Sequence, residues 1–520
     1  MVLYFTQGLH RALQQNPTGL AIQCGDRQRS FQELSVRVSR LASGLGDLVA
    51  AGNGTPRIAI LSLNSDYYLE SYLAIAWMGA IVVPINTRWN VEEISFSLND
   101  CHAELLLVGN DFLEIGAELL DKCPELKWIV HLGHGYNAGD AKGGEDLINS
   151  SSPMEDTRTG DESLFGIFYT GGTTGRSKGV MLSHRNIIST GLATLGSGAF
   201  GVGSIGLHAA PMFHLADMVM FSSLILRGGT HIVLPSFDPV QMIELLASTA
   251  ATDTLVVPAM LSALMNNPAI DTEDLSALQC ILYGASPAPE PLLNLTQQKI
   301  PHVNLMQGYG MTESSGVIAF LLPEAHRDES NRQRLRAAGQ AALDVEIRVV
   351  DDNDEAVGVG IIGEITFRGP NVMQGYLNMR DATDQALKGG WMHTGDLGYI
   401  DEEGYVFIVD RSKDMIISGG ENVYSSEVEN TVAKHPAVMQ VAVIGIPDDK
   451  MGEKVHASIV LKHDHVLTLD ELQEFCRNHL GGYKIPRSLD IVDALPMSGA
   501  GKVLKTELRK PFWEGVARSI

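Results

Sequence analysis

The chain of 520 residues carries a formal net charge of −24 at pH 7, from 38 basic and 62 acidic side chains. A surface of this sign argues against nucleic acid or an anionic membrane as a general partner. Hydrophobic residues make up 45% of the chain and charged residues only 19%, which excludes long disordered regions and predicts large cores in more than one domain.

The cysteines and the N-terminus bear on the cellular compartment. Five cysteines are scattered along the chain and show neither paired nor metal-binding spacing, which is typical of a reducing cytosol. The first residues, MVLYFTQGLHRAL, lack the apolar core and cleavage site of a signal peptide. The most apolar stretch, 73–83, is too short to cross a bilayer. We therefore expect a cytoplasmic protein without a transmembrane segment.

Helical and strand-like patterns alternate through the first part of the chain. The segment that begins SFQEL at Ser30 repeats apolar residues at 34, 38, 41 and 45, which places them on one face of a helix. Strand-like and helical segments follow at 57–63, 65–77 and 80–83, and similar β–α units recur at 206–234 and 254–282. Alternation of this kind predicts an α/β fold with parallel sheets covered by helices.

The stretch 169–180 is the most informative of the chain and reads YTGGTTGRSKGV. It follows an apolar run, 164–168, of the length of a buried strand, and it leads to Ser183, a predicted helix N-cap. Glycine N–H groups form a concavity suited to phosphate, and threonine hydroxyls, Arg176 and Lys178 add donors. The alternative is a glycine-rich surface turn. A Walker A loop is excluded because glycine, not serine or threonine, follows Lys178.

This stretch closely resembles the signature loop of the adenylate-forming enzymes, a superfamily of acyl-CoA synthetases, free-standing adenylation domains and luciferases. The resemblance implies that the loop binds the phosphates of ATP and that Thr170 also contributes to a Mg²⁺ site. The residues implicated in phosphate binding are Thr170, Gly171, Gly172, Thr173, Thr174, Gly175 and Lys178.

The segment 307–313 reads QGYGMTE and matches a second motif of that superfamily. By position, Tyr309 is implied to stack on adenine, Thr312 to contact the α-phosphate and Glu313 to hold Mg²⁺. The chemistry is consistent, because a carboxylate that attacks phosphorus needs donors and cations to relieve charge repulsion. Taken alone, the segment also fits an ordinary turn. The further nucleotide contacts implied here and by YGASP at 283–287 are Gly308, Gly310, Met311, Gly284, Ala285 and Ser286.

The period of the pattern changes after residue 341. The segments VEIRVV, GEITFRG and YVFIVD alternate between turns rich in glycine and aspartate, which predicts a small β-barrel-like subdomain. The turn HTGDLG supplies Asp396, which resembles the ribose-binding aspartate of the superfamily, and Arg411 matches its second ribose contact. A short acid between glycines is also a common turn former.

The resemblance also implies how the chain is divided. A large N-terminal domain is expected at 1–410 and a small, mobile α+β domain at 411–520, with a hinge near Lys413. Gly419 and Gly420 are implied to line the tunnel for the pantetheine arm of CoA, where side chains would not fit.

The C-terminal segment PMSGAGKVLKTELR, 496–509, contains two candidate catalytic lysines. The resemblance implies that Lys502, directly after a glycine, enters the site and bridges the carboxylate and the α-phosphate, a task that suits a compact cation on a flexible stem. Lys505 is the competing candidate, which the spacing disfavours. Lys484 and Arg487 are candidates for contacts to the phosphates of CoA.

The predicted acyl-binding segment is PMFHLAD at 211–217. Relatives that activate amino acids carry an aspartate at the position of His214, so an imidazole indicates an acid without an α-amino group; a core histidine is the alternative. We therefore count His214 among the catalytic and substrate-binding residues. Ala216 stands where plant hydroxycinnamate ligases carry a tyrosine, which disfavours a phenolic acid. Further substrate contacts are expected from Tyr283, Gly284, Gly310, Gly316, Val317 and Asn422.

Together these segments predict an AMP-forming carboxylate–CoA ligase. A fatty or other non-amino acid is expected to react with ATP and Mg²⁺ to give acyl-adenylate and pyrophosphate, and CoA then displaces AMP. The expected partners are small molecules, and the sequence leaves a homodimer open. The alternatives are an enzyme that loads a carrier protein and a nucleotide-binding scaffold without turnover, which the presence of Glu313 and Lys502 disfavours. Nothing in the sequence points to the oxygenase step of a luciferase.

Overall fold

The computed structural model describes residues 2–50, 54–133, 142–170, 177–411, 413–419, 421–448, 450–497 and 503–514. Its α-helices are α1 (Gln7–Gln15), α2 (Phe31–Val49), α3 (Asp66–Trp77), α4 (Val91–Asp100), α5 (Leu113–Lys122), α6 (Gly144–Ser150), α7 (His184–Gly196), α8 (Leu215–Arg227), α9 (Pro239–Ser248), α10 (Pro258–Met265), α11 (Glu290–Lys299), α12 (Pro323–Arg327), α13 (Arg380–Ala386), α14 (Ser425–Val432), α15 (Leu469–Arg477) and α16 (Lys505–Trp513). Its strands are β1 (Leu20–Cys24), β2 (Arg27–Ser30), β3 (Arg57–Leu61), β4 (Ile81–Pro84), β5 (Leu105–Gly109), β6 (Trp128–Leu132), β7 (Lys142–Gly143), β8 (Leu164–Thr170), β9 (Lys178–Ser183), β10 (Ile205–His208), β11 (Thr230–Val233), β12 (Asp253–Val256), β13 (Cys280–Gly284), β14 (Asn304–Tyr309), β15 (Ala319–Leu321), β16 (Gln340–Ala341), β17 (Glu346–Val350), β18 (Gly363–Arg368), β19 (Gly375–Tyr376), β20 (Met392–Ile400), β21 (Val406–Arg411), β22 (Ile416–Ser418), β23 (Glu421–Val423), β24 (Val438–Asp448), β25 (Gly452–Leu461) and β26 (Ser488–Ile491).

Two large sheets form the frame of the first part of the chain. The first has the order β16-β15-β14-β13-β12-β10-β11-β1-β2 and is parallel from β14 to β1, with antiparallel strands at its edges. The second has the order β19-β9-β8-β4-β3-β5-β6-β7 and is parallel from β8 to β7, while β9 and β19 are antiparallel. The predicted parallel sheets are thus confirmed.

Local sequence signals explain where two helices begin. The hydroxyl oxygen of Ser30 accepts a hydrogen bond from the backbone N–H of Glu33, whose carboxylate in turn accepts one from the N–H of Ser30. This capping box starts α2 in the segment where the sequence predicts a helix. Ser183 caps α7 in the same way, with Asn186 as its partner. Because β9 ends at this cap, the strand, the cap and α7 follow one another without an intervening loop.

Helix α3 lies inside the largest apolar core, and every one of its residues is buried. Its two acids are neutralised by arginines: Arg27 contacts Asp66 at 2.7 Å and Arg37 contacts Glu70 at 2.6 Å. Buried carboxylates are tolerated only when they are paired in this way. The predicted helix at 65–77 is therefore confirmed, as a core helix rather than an amphipathic surface helix.

Two smaller sheets lie in the later part of the described chain. The predicted β subdomain is a four-stranded antiparallel sheet of order β17-β18-β20-β21. Beyond it, β23-β22-β25-β24, with β26 beside β25, pack with α14 and α15 around a separate core that contains Val428, Val443 and Leu472. The large parallel-sheet part and the small α+β part of the predicted fold are both present. The boundary at 410/411 and the hinge near Lys413 stay predictions.

Among the helices that the structure describes, none combines the length and the apolar character needed to span a bilayer.

Candidate active site

The antiparallel strands β8 and β9 flank the glycine-rich stretch of the sequence. Thr170 is the last residue of β8 and Lys178 the first of β9, and the two lie opposite each other in the register. The loop residues Gly171, Gly172, Thr173, Thr174 and Gly175 lie outside the described residues. The Lys178 ammonium is 4.6 Å from the ring centroid of Tyr376, so it faces an aromatic surface.

Glu313 lies in a 3-10 turn, Thr312–Ser314, that follows β14, and it is only 7% exposed. The hydroxyl of Tyr376 donates a 2.8 Å hydrogen bond to its Oε1. Burial, with the nearby carboxylate, raises the pKa of Tyr376, so the phenol stays protonated and donates. Sequence reasoning did not select Tyr376, because a single tyrosine 63 residues from its partner carries no local pattern.

The two residues predicted to hold magnesium have side chains of suitable chemistry. A carboxylate at Glu313 and a hydroxyl at Thr170 are hard oxygen ligands of the kind that Mg²⁺ prefers. Over the described parts of the chain, no group of three or more histidine, cysteine or acidic side chains is arranged to hold a metal. Such an ion would therefore depend on phosphate and water oxygens for its other ligands, as is usual for Mg²⁺ bound with a nucleotide.

Three predicted nucleotide contacts meet at one carboxylate. Tyr309, the last residue of β14, donates a 2.7 Å hydrogen bond to Oδ2 of Asp396, and Nε of Arg411 lies 3.2 Å from its Oδ1. Asp396 and Arg411 are cross-strand partners on β20 and β21, which explains why they lie side by side. Burial and then Asp396 raise the pKa of Tyr309. Lys413, exposed, follows two positions after Arg411.

Close contacts with neighbouring atoms explain why glycine stands at three of the predicted site positions. A Cβ at Gly284 would lie 2.3 Å from the carbonyl oxygen of Gly308, and one at Gly310 would lie 2.3 Å from that of Gly316. Gly316 has a φ of +115°, and a Cβ there would lie 2.4 Å from Val219. Larger residues would push the strands and α8 apart, so these positions require glycine.

Other predicted nucleotide contacts follow these glycines in the sequence; one has a strained backbone and the others are half-buried. Ala285, directly after β13, has a φ of +69°, a left-handed conformation that is strained for alanine. Ser286, which follows Ala285, and Met311 and Thr312 of the second motif are half-buried. Their partial exposure is compatible with contacts to a ligand.

The predicted acyl-site residues separate into two groups. His214 is the N-cap residue of α8, half-buried, with its ring centroid 4.3 Å from that of Phe213. Ala216 is half-buried on α8, and Val317 packs in the same core as α8.

Tyr283 and Asn422 lie elsewhere. The Tyr283 side chain is fully buried in the core on the other face of the first sheet, where its hydroxyl contacts Nε2 of His326 at 2.8 Å. Successive residues of a strand point to opposite faces of the sheet, and the neighbouring Leu282 packs in the core that contains Val317. The phenol of Tyr283 therefore points away from Val317, which argues against a contact between this phenol and an acyl group. Asn422 is exposed on β23.

A cluster of charges surrounds the predicted hinge. Asp410 accepts hydrogen bonds from the backbone N–H of Ser425 at 2.5 Å and from its hydroxyl at 3.0 Å. Lys505 contacts Ser425 at 2.6 Å and Glu429 at 2.7 Å. Burial lowers the pKa of Lys505, but Glu429, Asp410 and the further carboxylate Asp414 outweigh it, and the pKa is raised. Lys505 therefore belongs to a structural network.

The two elements predicted for the half-reactions are partly described. Lys502 and Gly420 lie outside the described residues. Met497 and Val503, which flank the segment that contains Lys502, form an isolated antiparallel bridge. Gly419 has a φ of +63°, and its N–H donates to the carbonyl of Met451 at 2.8 Å. The positive φ explains the choice of glycine in this turn.

The candidate contacts to CoA are paired within the protein. Lys484 donates to both carboxylate oxygens of Glu427 at 2.7 Å, and Arg487 donates to the carbonyl of Gly482 at 2.9 Å. Both residues stay candidates, but each would have to release its present partner in the protein to bind a phosphate of CoA.

The chain is similar to known families and proteins over almost its whole length. The family model described as AMP-binding enzyme matches residues 9–377, and that described as AMP-binding enzyme C-terminal domain matches residues 427–502. A feruloyl-CoA synthase of Amycolatopsis sp is 36% identical over 505 residues, which cover 96% of this chain and 98% of that relative. The fatty acid–[acyl-carrier-protein] ligase ScoC of Streptomyces coeruleorubidus is 33% identical, with 98% and 96% covered. The crystal structure of ATP-bound MatB from Rhodopseudomonas palustris has a TM-score of 0.89 at 29% identity and covers 99% of this chain and 100% of that one.

Proposed function

The chain belongs to the family of AMP-binding enzymes, and we propose that it is an AMP-forming acyl-CoA synthetase that activates a fatty or other non-amino carboxylic acid. The observation that carries the proposal is the meeting of Tyr309 and Arg411 on the carboxylate of Asp396, at the end of the strand that leads into Glu313. An aromatic ring, a carboxylate and an acid for a metal are the groups that adenine, ribose and Mg·phosphate require. The similarity to a feruloyl-CoA synthase supports the same chemistry.

In the first half-reaction, a carboxylate oxygen attacks the α-phosphorus of ATP and pyrophosphate leaves. Thr312 donates to the α-phosphate, while Lys178 and the threonines of the glycine-rich loop bind the phosphates that leave. Lys502 bridges the attacking carboxylate and the α-phosphate. Thr170 and Glu313 would hold Mg²⁺, which neutralises phosphate charge when bound.

In the second half-reaction, the thiol of CoA attacks the acyl carbon, the bond to AMP breaks, and the thiol proton passes to solvent. A free thiol has a pKa near 8.5, so a sufficient fraction is ionised at neutral pH without a strong general base. Gly419 and Gly420 line the path of the pantetheine arm. We propose that the domain from 411 onward turns about Lys413 between the two steps.

The substrate class follows from the residues at the start of α8. An imidazole at His214 provides no negative charge for an α-ammonium group, and Ala216 leaves space that a larger side chain would fill. The predicted walls Gly310 and Gly316 add no such space, because a Cβ at either glycine would meet protein atoms at 2.3–2.4 Å. Each buried CH₂ contributes about 0.8 kcal/mol, so the site would discriminate acids by chain length over a few carbons.

A second candidate is an enzyme that loads the acyl group onto the phosphopantetheine of a carrier protein. The 33% identity to the ligase ScoC, named for fatty acid and acyl carrier protein, favours it specifically. Both candidates share the first half-reaction and differ only in the thiol that receives the acyl group.

We also propose that the enzyme works in the cytoplasm. Its five cysteines are buried and free, as expected where thiols stay reduced. A homodimer stays a prediction, which light scattering after size exclusion would check.

The experiment that tests the function is pyrophosphate release from ATP and Mg²⁺ over a panel of short, medium and long fatty acids, benzoates, cinnamates and dicarboxylates. Each acid is supplied with CoA, with a holo carrier protein, or with neither, and thioesters are identified by mass. Acid-dependent release with acyl-CoA formation supports the synthetase. A thioester on the carrier protein alone supports the second candidate, and no release with any acid contradicts both.

A further inference from the structure

We propose that Tyr376 is a positioning residue that holds Glu313 and Lys178 in place at the phosphate end of the nucleotide site. The inference rests on the proposed function, because it concerns the residues assigned there to Mg²⁺ and to the phosphates of ATP.

The hydroxyl of Tyr376 restricts the carboxylate of Glu313. Both side chains are buried, at 8% and 7% exposure, and the 2.8 Å bond engages Oε1. A carboxylate fixed through one oxygen presents the other in a defined direction. Groups that orient a metal ligand in this way tune the affinity for the metal without touching it.

The ring of Tyr376 acts on the second residue. The Lys178 ammonium lies 4.6 Å from its centroid, within the range of an attractive cation–π contact. One side chain therefore contacts both an acid that would hold the metal and a cation that would hold phosphate.

The backbone around Tyr376 is itself fixed to both partners. The N–H of Met373 donates to the carbonyl of Glu313 at 2.9 Å. The N–H of Leu377 donates to the carbonyl of Gly179 at 2.8 Å, next to Lys178. Tyr376 also pairs with Val180 where β19 joins β9.

The side chain of Asn371 adds two hydrogen bonds to the backbone that follows Glu313. It donates to the carbonyl of Ser314 at 3.2 Å and to that of Val317 at 2.9 Å. The segment thus remains attached to the turn and to β9 when the phenol is changed. A variant at Tyr376 would alter the positioning contacts while the local fold is kept.

The test is calorimetric binding of ATP without any acid, once with Mg²⁺ and once with EDTA, for wild type, Tyr376→Phe and Tyr376→Leu. Removing the hydroxyl should weaken binding of Mg·ATP by about tenfold and leave metal-free ATP within about twofold, because the ring still faces Lys178. Removing the ring as well should weaken both forms. The lost affinity of Tyr376→Phe should be recovered in part at higher Mg²⁺.

The control is Tyr399→Phe in the four-stranded sheet. It removes a hydroxyl from a ring that stacks on Phe407, with 4.9 Å between the ring centroids. It should bind both forms of ATP as the wild type does. Equal affinities of wild type and Tyr376→Phe for Mg·ATP would overturn the inference and leave the synthetase proposal intact. An equal loss for Mg·ATP and metal-free ATP in Tyr376→Phe would also overturn it, since a purely structural role predicts that result. A wild type that bound no ATP would overturn both proposals.

Discussion

The phenol of Tyr309 donates a 2.7 Å hydrogen bond to Oδ2 of Asp396, although 87 positions separate the two residues in the sequence. Arg411 lies 3.2 Å from the other oxygen of the same carboxylate. Asp396 is 8% exposed, so it is fixed in one orientation before any nucleotide arrives. A binding group ordered in advance loses less conformational entropy when its ligand binds.

Replacing Asp396 with asparagine should weaken ATP binding. The substitution keeps the size of the side chain but removes the charge that pairs with Arg411 and that accepts from ribose hydroxyls. Hydrogen bonds to charged groups contribute about 1.5–3 kcal/mol, so the affinity for ATP should fall by about tenfold to a hundredfold. Calorimetry and the KM for ATP would measure it. Asp352→Asn, in an exposed turn of the same small sheet, is the matched control; equal effects of the two variants would contradict the ribose assignment.

The two C-terminal lysines should give opposite phenotypes. Lys502→Ala should reduce acid-dependent pyrophosphate exchange by about a hundredfold or more, because a transition-state charge contact is lost. It should spare the conversion of a supplied acyl-adenylate into thioester. Lys505→Ala should instead lower stability by about 3 kcal/mol, since it leaves Glu429 and Asp410 without their partner.

Assays of the two half-reactions, together with thermal unfolding of each variant, would separate these outcomes. If the rates of both half-reactions fell equally in Lys502→Ala, the role of Lys502 or the proposed turning of the domain about Lys413 would be wrong. Unchanged stability with lost adenylation in Lys505→Ala would instead make Lys505 the catalytic lysine.

A side chain at position 420 should block the second half-reaction only. Gly420→Leu should stop acyl-CoA formation and leave acid-dependent pyrophosphate exchange intact, since a narrow tunnel admits no side chain. Gly358→Leu is the control, because a Cβ at Gly358 meets no atom within 4 Å. Normal acyl-CoA formation in Gly420→Leu would rule out the tunnel assignment.

Much of the fold was predictable because its signals are local. The cap at Ser30 and the cap at Ser183 each depend on residues within three positions, and the strand and helix periods are read directly from the chain. The placement of Gly284 and Tyr309 at the ends of adjacent parallel strands follows from the same alternation, because such ends meet at one edge of a sheet.

The remaining features depend on contacts that no local pattern encodes. The face on which Tyr283 lies is decided by the register of β13, where a shift of one residue reverses every side chain. The bond from Tyr376 to Glu313 depends on β19 joining the edge of the second sheet at β9. Lone residues brought together by such pairing are visible only in three dimensions.

Asp410 should make the stability of the protein decrease as the pH rises through about 6. It is 5% exposed, and burial raises its pKa from 3.8 to about 6, although Lys505 and Ser425 act in the opposite direction. The folded chain therefore keeps this proton to a higher pH than the unfolded chain does, so the stabilisation is complete below about pH 4 and is lost as the pH passes 6. The difference between these pKa values corresponds to about 3 kcal/mol. Asp410→Asn cannot ionise, so the free energy of unfolding of wild type minus that of the variant should fall by about this amount between pH 4 and pH 7 in urea titrations. Asp493→Asn, at an exposed site, should show no such trend. A difference that stayed constant or rose with pH for Asp410→Asn would contradict the raised pKa of Asp410.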